Sequence, residues 1–167
     1  MLTPRQQLLA AIIDAIGGVD LTRFRDRLLL QKRVFLLMVK GIDLGYSFSW
    51  YLRGPYCPAL TKDAFAVDEE MRRVSPMWTG FATMPATLKQ GIADVRNAFG
   101  AYWNDPEQLE LLASVLFLVK STGELDPKVI AKSLHELKPR FDLHKIGASI
   151  QWLRENKLVH ANQSVHP

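Results

Sequence analysis

One cysteine stands among the 167 residues, Cys57. A single thiol excludes an intrachain disulfide framework and a multi-cysteine zinc ribbon, and it fits the reducing cytoplasm, where the chain is expected to reside. Long apolar runs are missing too: stretches such as Val34 to Val39 fall far below the roughly 18 residues that span a membrane. No secretory signal is expected, because Met1-Leu2-Thr3-Pro4-Arg5 leads into an amphipathic pattern and not into a continuous apolar segment. Phosphate-loop, dinucleotide-binding and nucleophile-elbow glycine motifs are all absent. The four histidines, His135, His144, His160 and His166, show no ligand spacing, and His135 and His144 have no evident third ligand to join them. The adjacent acids Asp68, Glu69 and Glu70 point in different directions on a helix and read as a solvated patch. Nothing here assembles an active site. A non-enzymatic protein with no metal and no cofactor is expected.

What is there describes a globular domain. Hydrophobic residues make up 48% and charged residues 23% of the chain, and a chain of this length buries roughly 70% of its unfolded surface. Lys and Arg number 21 against 17 Asp and Glu, a net charge of +4. That is a mild bias toward nucleic acid or an acidic protein partner.

Thr3 and Pro4 read as the cap and first position of a helix whose Leu8, Leu9, Ile12, Ile13 and Ile16 recur at helical spacing, with Gly17-Gly18 ending it. Asp20 is expected to cap a second helix that runs to about Lys40 and stops at Gly41. From Tyr46 the period changes: Phe48, Trp50 and Leu52 alternate with Ser47, Ser49 and Tyr51, as in a half-buried strand that Gly54-Pro55 breaks. Cys57 precedes Pro58 where a short helix begins, including Leu60, Phe65 and Met71. Its role there is structural, in a place an oxygen side chain would cap better. Residues 76–85 form a connector, and Met77, Trp78, Phe81 and Met84 imply that it packs down. Beyond it lie a helix from Ala86 to Phe99 and three more, opened by Asp105-Pro106, Asp126-Pro127 and Asp142, with Leu158-Val159 a possible strand.

The second helix carries Arg23, Arg25, Arg27, Lys32, Arg33 and Lys40 against one acid, Asp26. Arg23, Arg27 and Gln31 share a face, whereas Arg25 and Lys32 lie elsewhere, and Val34 to Val39 must be buried. A phosphate contact at the basic N-terminal end of this helix competes with plain solvation. The last three helices have helix-turn-helix spacing. In that arrangement the final helix presents His144, Lys145, Ser149, Gln151 and Arg154 to a major groove.

Leu30-Gln31-Lys32, Phe35-Leu36-Leu37, Gly41, Leu44-Gly45-Tyr46, Phe48, Trp50-Tyr51, Gly54-Pro55-Tyr56, Pro58 and Leu60 together resemble the signature of the prokaryotic YwgA-like proteins. More distantly they are similar to the SocA-like, or Panacea, antitoxin domain. The resemblance covers about residues 28 to 65, with Cys57 where Ser is usual and Arg33 where an apolar residue is commoner. It implies a small helical fold with a winged-helix-like element, no known catalytic residues, and a role as antitoxin, adaptor or regulator. Within the motif, Trp50 and Phe48 are expected to anchor the strand to the second helix, and Gly54 to permit a tight turn. The polar members Gln31, Lys32, Tyr51, Arg53 and Tyr56 are left for a partner.

The expected fold is mainly α with a short β-hairpin or wing, in winged-helix-like lobes sharing one core: residues 1–75 and 86–160, joined by 76–85. The first functional expectation is a binding protein of a prokaryotic regulatory or defence locus that contacts DNA through Arg23, Arg27, Lys145, Gln151 and Arg154. The alternative is an antitoxin or adaptor that binds a cognate protein, such as a toxin or defence effector, through Gln31, Lys32, Tyr51, Arg53, Tyr56 and the aromatics near Trp78. No membrane partner is expected.

Overall fold

A computed structural model of the chain describes residues 1–74 and 84–159. The expected fold class holds: among the described residues there are seven α-helices and one two-stranded antiparallel sheet. None of the described helices is long and apolar enough to cross a membrane.

Helix α1, Pro4–Ala15, opens on a reciprocal capping box. Thr3 Oγ1 accepts from the Gln6 amide, and Gln6 Oε1 accepts from the Thr3 amide at 2.9 Å. Its Leu9, Ala10, Ala11, Ile12 and Ile13 are all buried, so the helix lies inside the core and not across its surface. Helix α2, Phe24–Val39, begins later than expected. Asp20 Oδ1 accepts instead from the Thr22 amide and hydroxyl, so it closes a local turn and Arg23 takes the cap position without a side-chain bond.

The two short strands β1, Ser49–Tyr51, and β2, Gly54–Tyr56, pair with Trp50 opposite Pro55 and Tyr51 opposite Gly54. Gly54-Pro55 therefore does not break a strand; it starts the second one, and Leu52-Arg53 is the turn. Leu52, grouped by its period with Phe48 and Trp50, sits at that tip and is 79% exposed. Pro55 falls at the ladder position whose N–H and C=O point away from the partner strand, so its missing N–H costs no ladder bond. Gly54 has φ +83°, and a Cβ there would lie 2.5 Å from Ser114 Oγ. Phe48 packs edge-on against Phe35 of α2 at 5.3 Å between ring centroids, as expected. Trp50 instead meets Phe117, 5.8 Å away, which belongs to a helix later in the chain.

Helix α3, Pro58–Val74, is longer than the short helix expected, and it buries Leu60, Asp63, Ala64 and Val67 while Phe65 is exposed. Of the connector at 76–85, only Met84 and Pro85 are described; Met84 is buried, while Met77, Trp78 and Phe81 lie outside the described residues. Helix α4, Ala86–Phe99, runs through a 3-10 turn into α5, Pro106–Thr122. Then come α6, Pro127–Leu137, and α7, Leu143–Glu155. Asp105, Asp126 and Asp142 cap α5, α6 and α7 as expected, each accepting from first-turn amides. Leu158 and Val159 are buried without forming a strand, so the β-hairpin follows α2 and not α7.

Helices α2 and α5, one from each half of the chain, make the most extensive helix pairing, and their side chains belong to one continuous core. The pairing holds the hairpin, because β2 packs against both helices. The mouth of a cavity lined by polar and aromatic side chains opens beside it.

Candidate functional site

One face of α2 supplies Phe24, Arg27, Leu28, Gln31 and Lys32, spaced as consecutive turns require. The hairpin adds Tyr51, Arg53 and Tyr56, and the first turn of α3 adds Thr61. They enclose a pocket of about 240 Å³. All five residues assigned to a partner-binding surface from sequence thus line one cavity. Arg27, assigned to nucleic acid, lines it too.

The members do different jobs. Gln31 is a fastener: its Nε2 donates to Cys57 O and to Thr61 Oγ1, both at 2.9 Å, and its Oε1 accepts from the Cys57 amide at 2.9 Å. That clamp holds the start of α3 against α2, and it explains the buried Cys57 through its backbone and not its thiol. Lys32 is 1% exposed and donates to Pro55 O at 2.6 Å. Burial brings its amine down to about 7, against the pull of Glu110 upward and with a further push from Lys138. The sequence counts Lys32 and Arg33 among the excess positive charges of this helix and leaves Lys32 for a partner. Both are buried, and Arg33 donates to Trp103 O and to Asn104 Oδ1 across the core.

The mouth is aromatic and cationic. Tyr51 and Tyr56 stand 5.4 Å apart, and the Tyr56 hydroxyl lies 3.0 Å from Thr61 Oγ1. The guanidinium carbons of Arg27 and Arg53 lie 6.0 and 5.9 Å from the centre of the Phe24 ring. Arg27 donates to Leu21 O at 2.7 Å, and Arg53 reaches Glu110 only at 3.8 Å. Among the described residues, the pocket wall holds three cationic side chains and no carboxylate. Phe24, Tyr51 and Arg53 are about half exposed, so the Arg53 charge faces solvent while Lys32 is walled in.

Behind the hairpin lies a second polar cluster that sequence reasoning missed. Glu110, 1% exposed on α5, accepts from Lys138 Nζ at 2.8 Å and pairs with Arg140. Lys138 Nζ also donates to Leu52 O at 2.7 Å. Burial holds the Lys138 amine below its ordinary value, although Glu110 pulls it up. The available signal was a lone glutamate inside the apolar run Leu109 to Leu116. A third cluster joins Asp63 to Arg5, Gln6 and Tyr46.

The residues assigned to DNA fall into two groups. Arg23 caps α2 and Arg27 is on its first turn, and Arg23 pairs with Asp20 at 3.1 Å. On α7, Lys145 pairs with Glu107 at 3.3 Å, Gln151 donates to Glu155, and Arg154 donates to Leu125 O. Ser149, expected to face outward, is buried. Among the described residues, no three His, Cys, Asp or Glu side chains are grouped to hold a metal ion.

Comparison of the chain with protein-family models, with curated proteins and with solved structures finds no match.

Proposed function

We propose that the protein is a non-enzymatic binding protein of a prokaryotic regulatory or defence system, an antitoxin or adaptor that seats an acidic part of a partner protein in the pocket between α2, the hairpin and α3. The observation that carries this is the convergence of Arg27, Tyr51, Arg53 and Tyr56 on a cavity with no carboxylate in its wall among the described residues. Tyrosine and arginine at a rigid pocket are the side chains that dominate protein interfaces. The resemblance of residues 28 to 65 to the YwgA-like and SocA-like proteins supports the same reading. Gln31 and Lys32 hold the walls in place and are not the first contacts.

A second reading, DNA contact, is favoured by the packing of α5, α6 and α7 and by the exposed His144 and Lys145 at the start of α7. The intrachain bonds of Lys145, Gln151 and Arg154 count against it. One experiment separates the two. Partner capture from native cells with wild type and with Arg53→Ala/Tyr56→Ala is run beside a labelled duplex in a salt series with Lys145→Glu/Arg154→Glu. A protein retained by wild type and lost from the pocket variant, at unchanged circular dichroism, supports the adaptor. A steeply salt-dependent duplex complex, lost from the α7 variant and kept by the pocket variant, replaces it with the DNA reading.

A further inference from the structure

We propose that the pocket recognises one chemical group, the carboxylate of an Asp or Glu side chain in an acidic, aromatic-flanked segment of the partner, and that it takes up a proton when that carboxylate binds. The inference rests on the adaptor reading and specifies its anchor.

Charge and size make the choice. Arg27, Lys32 and Arg53 contribute positive charge to the wall from two elements, and no lining residue among those described offsets it. The Coulomb attraction of an entering anion is strengthened where the walls exclude water. At about 240 Å³ the space holds little more than one side chain. It suits a single anchor residue and not a duplex backbone. Phe24 and the tilted pair Tyr51 and Tyr56 supply an apolar and aromatic rim for the residues that flank the anchor.

The proton uptake follows from where Lys32 sits. Its amine is held by Pro55 O on the hairpin. The charged and titratable groups that face it are Arg27 on its own helix, Tyr51, Arg53 and Tyr56 on the hairpin, Glu110 on α5 and Lys138 beyond α6. Glu110 already serves Lys138 and Arg140, which leaves Lys32 short of negative charge. Burial lowers its amine to about 7, which puts the loss of its proton within reach of neutral pH. A carboxylate placed in the pocket favours the ammonium form, so binding and protonation assist each other.

The probe is the blocked tripeptide N-acetyl-Phe-Glu-Phe-amide, titrated into the intact protein while the Arg27 and Arg53 Nε–H signals are followed by NMR. Its glutamine counterpart and phenyl phosphate are run beside it. Saturable shifts with the glutamate peptide and none with the glutamine peptide are expected. Affinity should fall from pH 6 to pH 8, by up to about tenfold, as a group near 7 loses its proton across that range. Calorimetry in two buffers of different ionisation enthalpy should show proton uptake at pH 7.5, a readout that needs no variant. Lys32→Met should abolish both the pH dependence and the uptake.

Equal shifts with the glutamine peptide, binding of phenyl phosphate alone, or glutamate-peptide binding that is flat from pH 6 to pH 8 would each overturn the proposal. If capture of a partner still depends on Arg53 and Tyr56 while no glutamate peptide binds, the adaptor reading stands and the carboxylate anchor falls. If duplex binding through α7 replaces capture, both fall.

Discussion

Lys138 Nζ lies 2.8 Å from Glu110 Oε1, and the two side chains are 3% and 1% exposed. The same Nζ donates to Leu52 O at the hairpin tip and sits 5.2 Å from the centre of the Trp50 ring. One amine therefore ties α5, the turn after α6 and the hairpin together, and through the hairpin it sets the pocket's outer wall.

Removing one member of that pair leaves a buried charge without its partner. Lys138→Met is expected to cost about 3–5 kcal/mol in urea unfolding. Replacing both, as Lys138→Met with Glu110→Leu, should cost clearly less than the sum of the single changes, because Arg53 and Arg140 are partly exposed and can turn to water. Additive costs would show that the pair is not coupled.

Gly54 is bound to its residue type twice over, by φ +83° and by the nearness of Ser114 Oγ. Gly54→Ala should lower stability by about 1–3 kcal/mol. Ser114→Ala added to it should relieve the contact but not the backbone strain, so only part of the loss returns. Ser114 Oγ has no hydrogen-bond partner among the described residues, and Ser114→Ala alone should be close to neutral. Thermal unfolding of the three variants measures each contribution.

Asp63 should govern the acid limb of stability. Burial pushes its carboxyl up, but hydrogen bonds from Gln6, Tyr46 and Arg5 together with the Arg5 charge outweigh it, and the group stays below its ordinary value. A carboxyl held low in the folded state contributes stability that is present above its unfolded value, about 4, and is lost as pH falls through the folded one. Asp63→Asn should flatten the decline in Tm below pH 4. An unchanged acid limb would assign it to other groups.

Lys32 and Tyr46 should shape the alkaline limb in opposite directions. Burial lowers the Lys32 amine from 10.5 to about 7, so the unfolded chain binds more protons between those values and stability rises with pH across that window. The slope from this group is at most about 1.4 kcal/mol per pH unit. Burial and the bond to Asp63 raise the Tyr46 phenol above its ordinary value of 10.0, so the native state keeps a proton that the unfolded state sheds and stability declines above pH 10. Tm measured from pH 6 to 11 should pass through a maximum near the top of the Lys32 window. Lys32→Met should reduce the rise to the part contributed by the lowered Lys138 amine and leave the fall.

The helix boundaries were legible because their causes are local. Thr3, Asp105, Asp126 and Asp142 each cap a helix through amides two or three residues away, and Pro4, Pro106 and Pro127 take first positions that need no N–H. The start of α2 was misread because Asp20 had an equally local alternative in Thr22. The five polar residues of the Gln-Lys and Gly-Pro motif share a cavity. Their division of labour was not readable. Whether Gln31 faces a partner or clamps Cys57 depends on a segment 26 residues away.

Charge was the least legible quantity. Along the chain, Lys32, Arg33, Glu110 and Lys138 look like surface residues, since an ion is buried only where partners replace its water. Those partners come from afar: Arg33 is satisfied by Trp103 and Asn104, and Glu110 by Lys138 and Arg140. The sequence by itself determined the helices, their caps and the apolar faces, because these follow from neighbours within a turn or two. Only the tertiary structure decided which cations are walled in and which remain free at the pocket mouth, because that depends on α2 and α5 closing on one another and holding the hairpin between them.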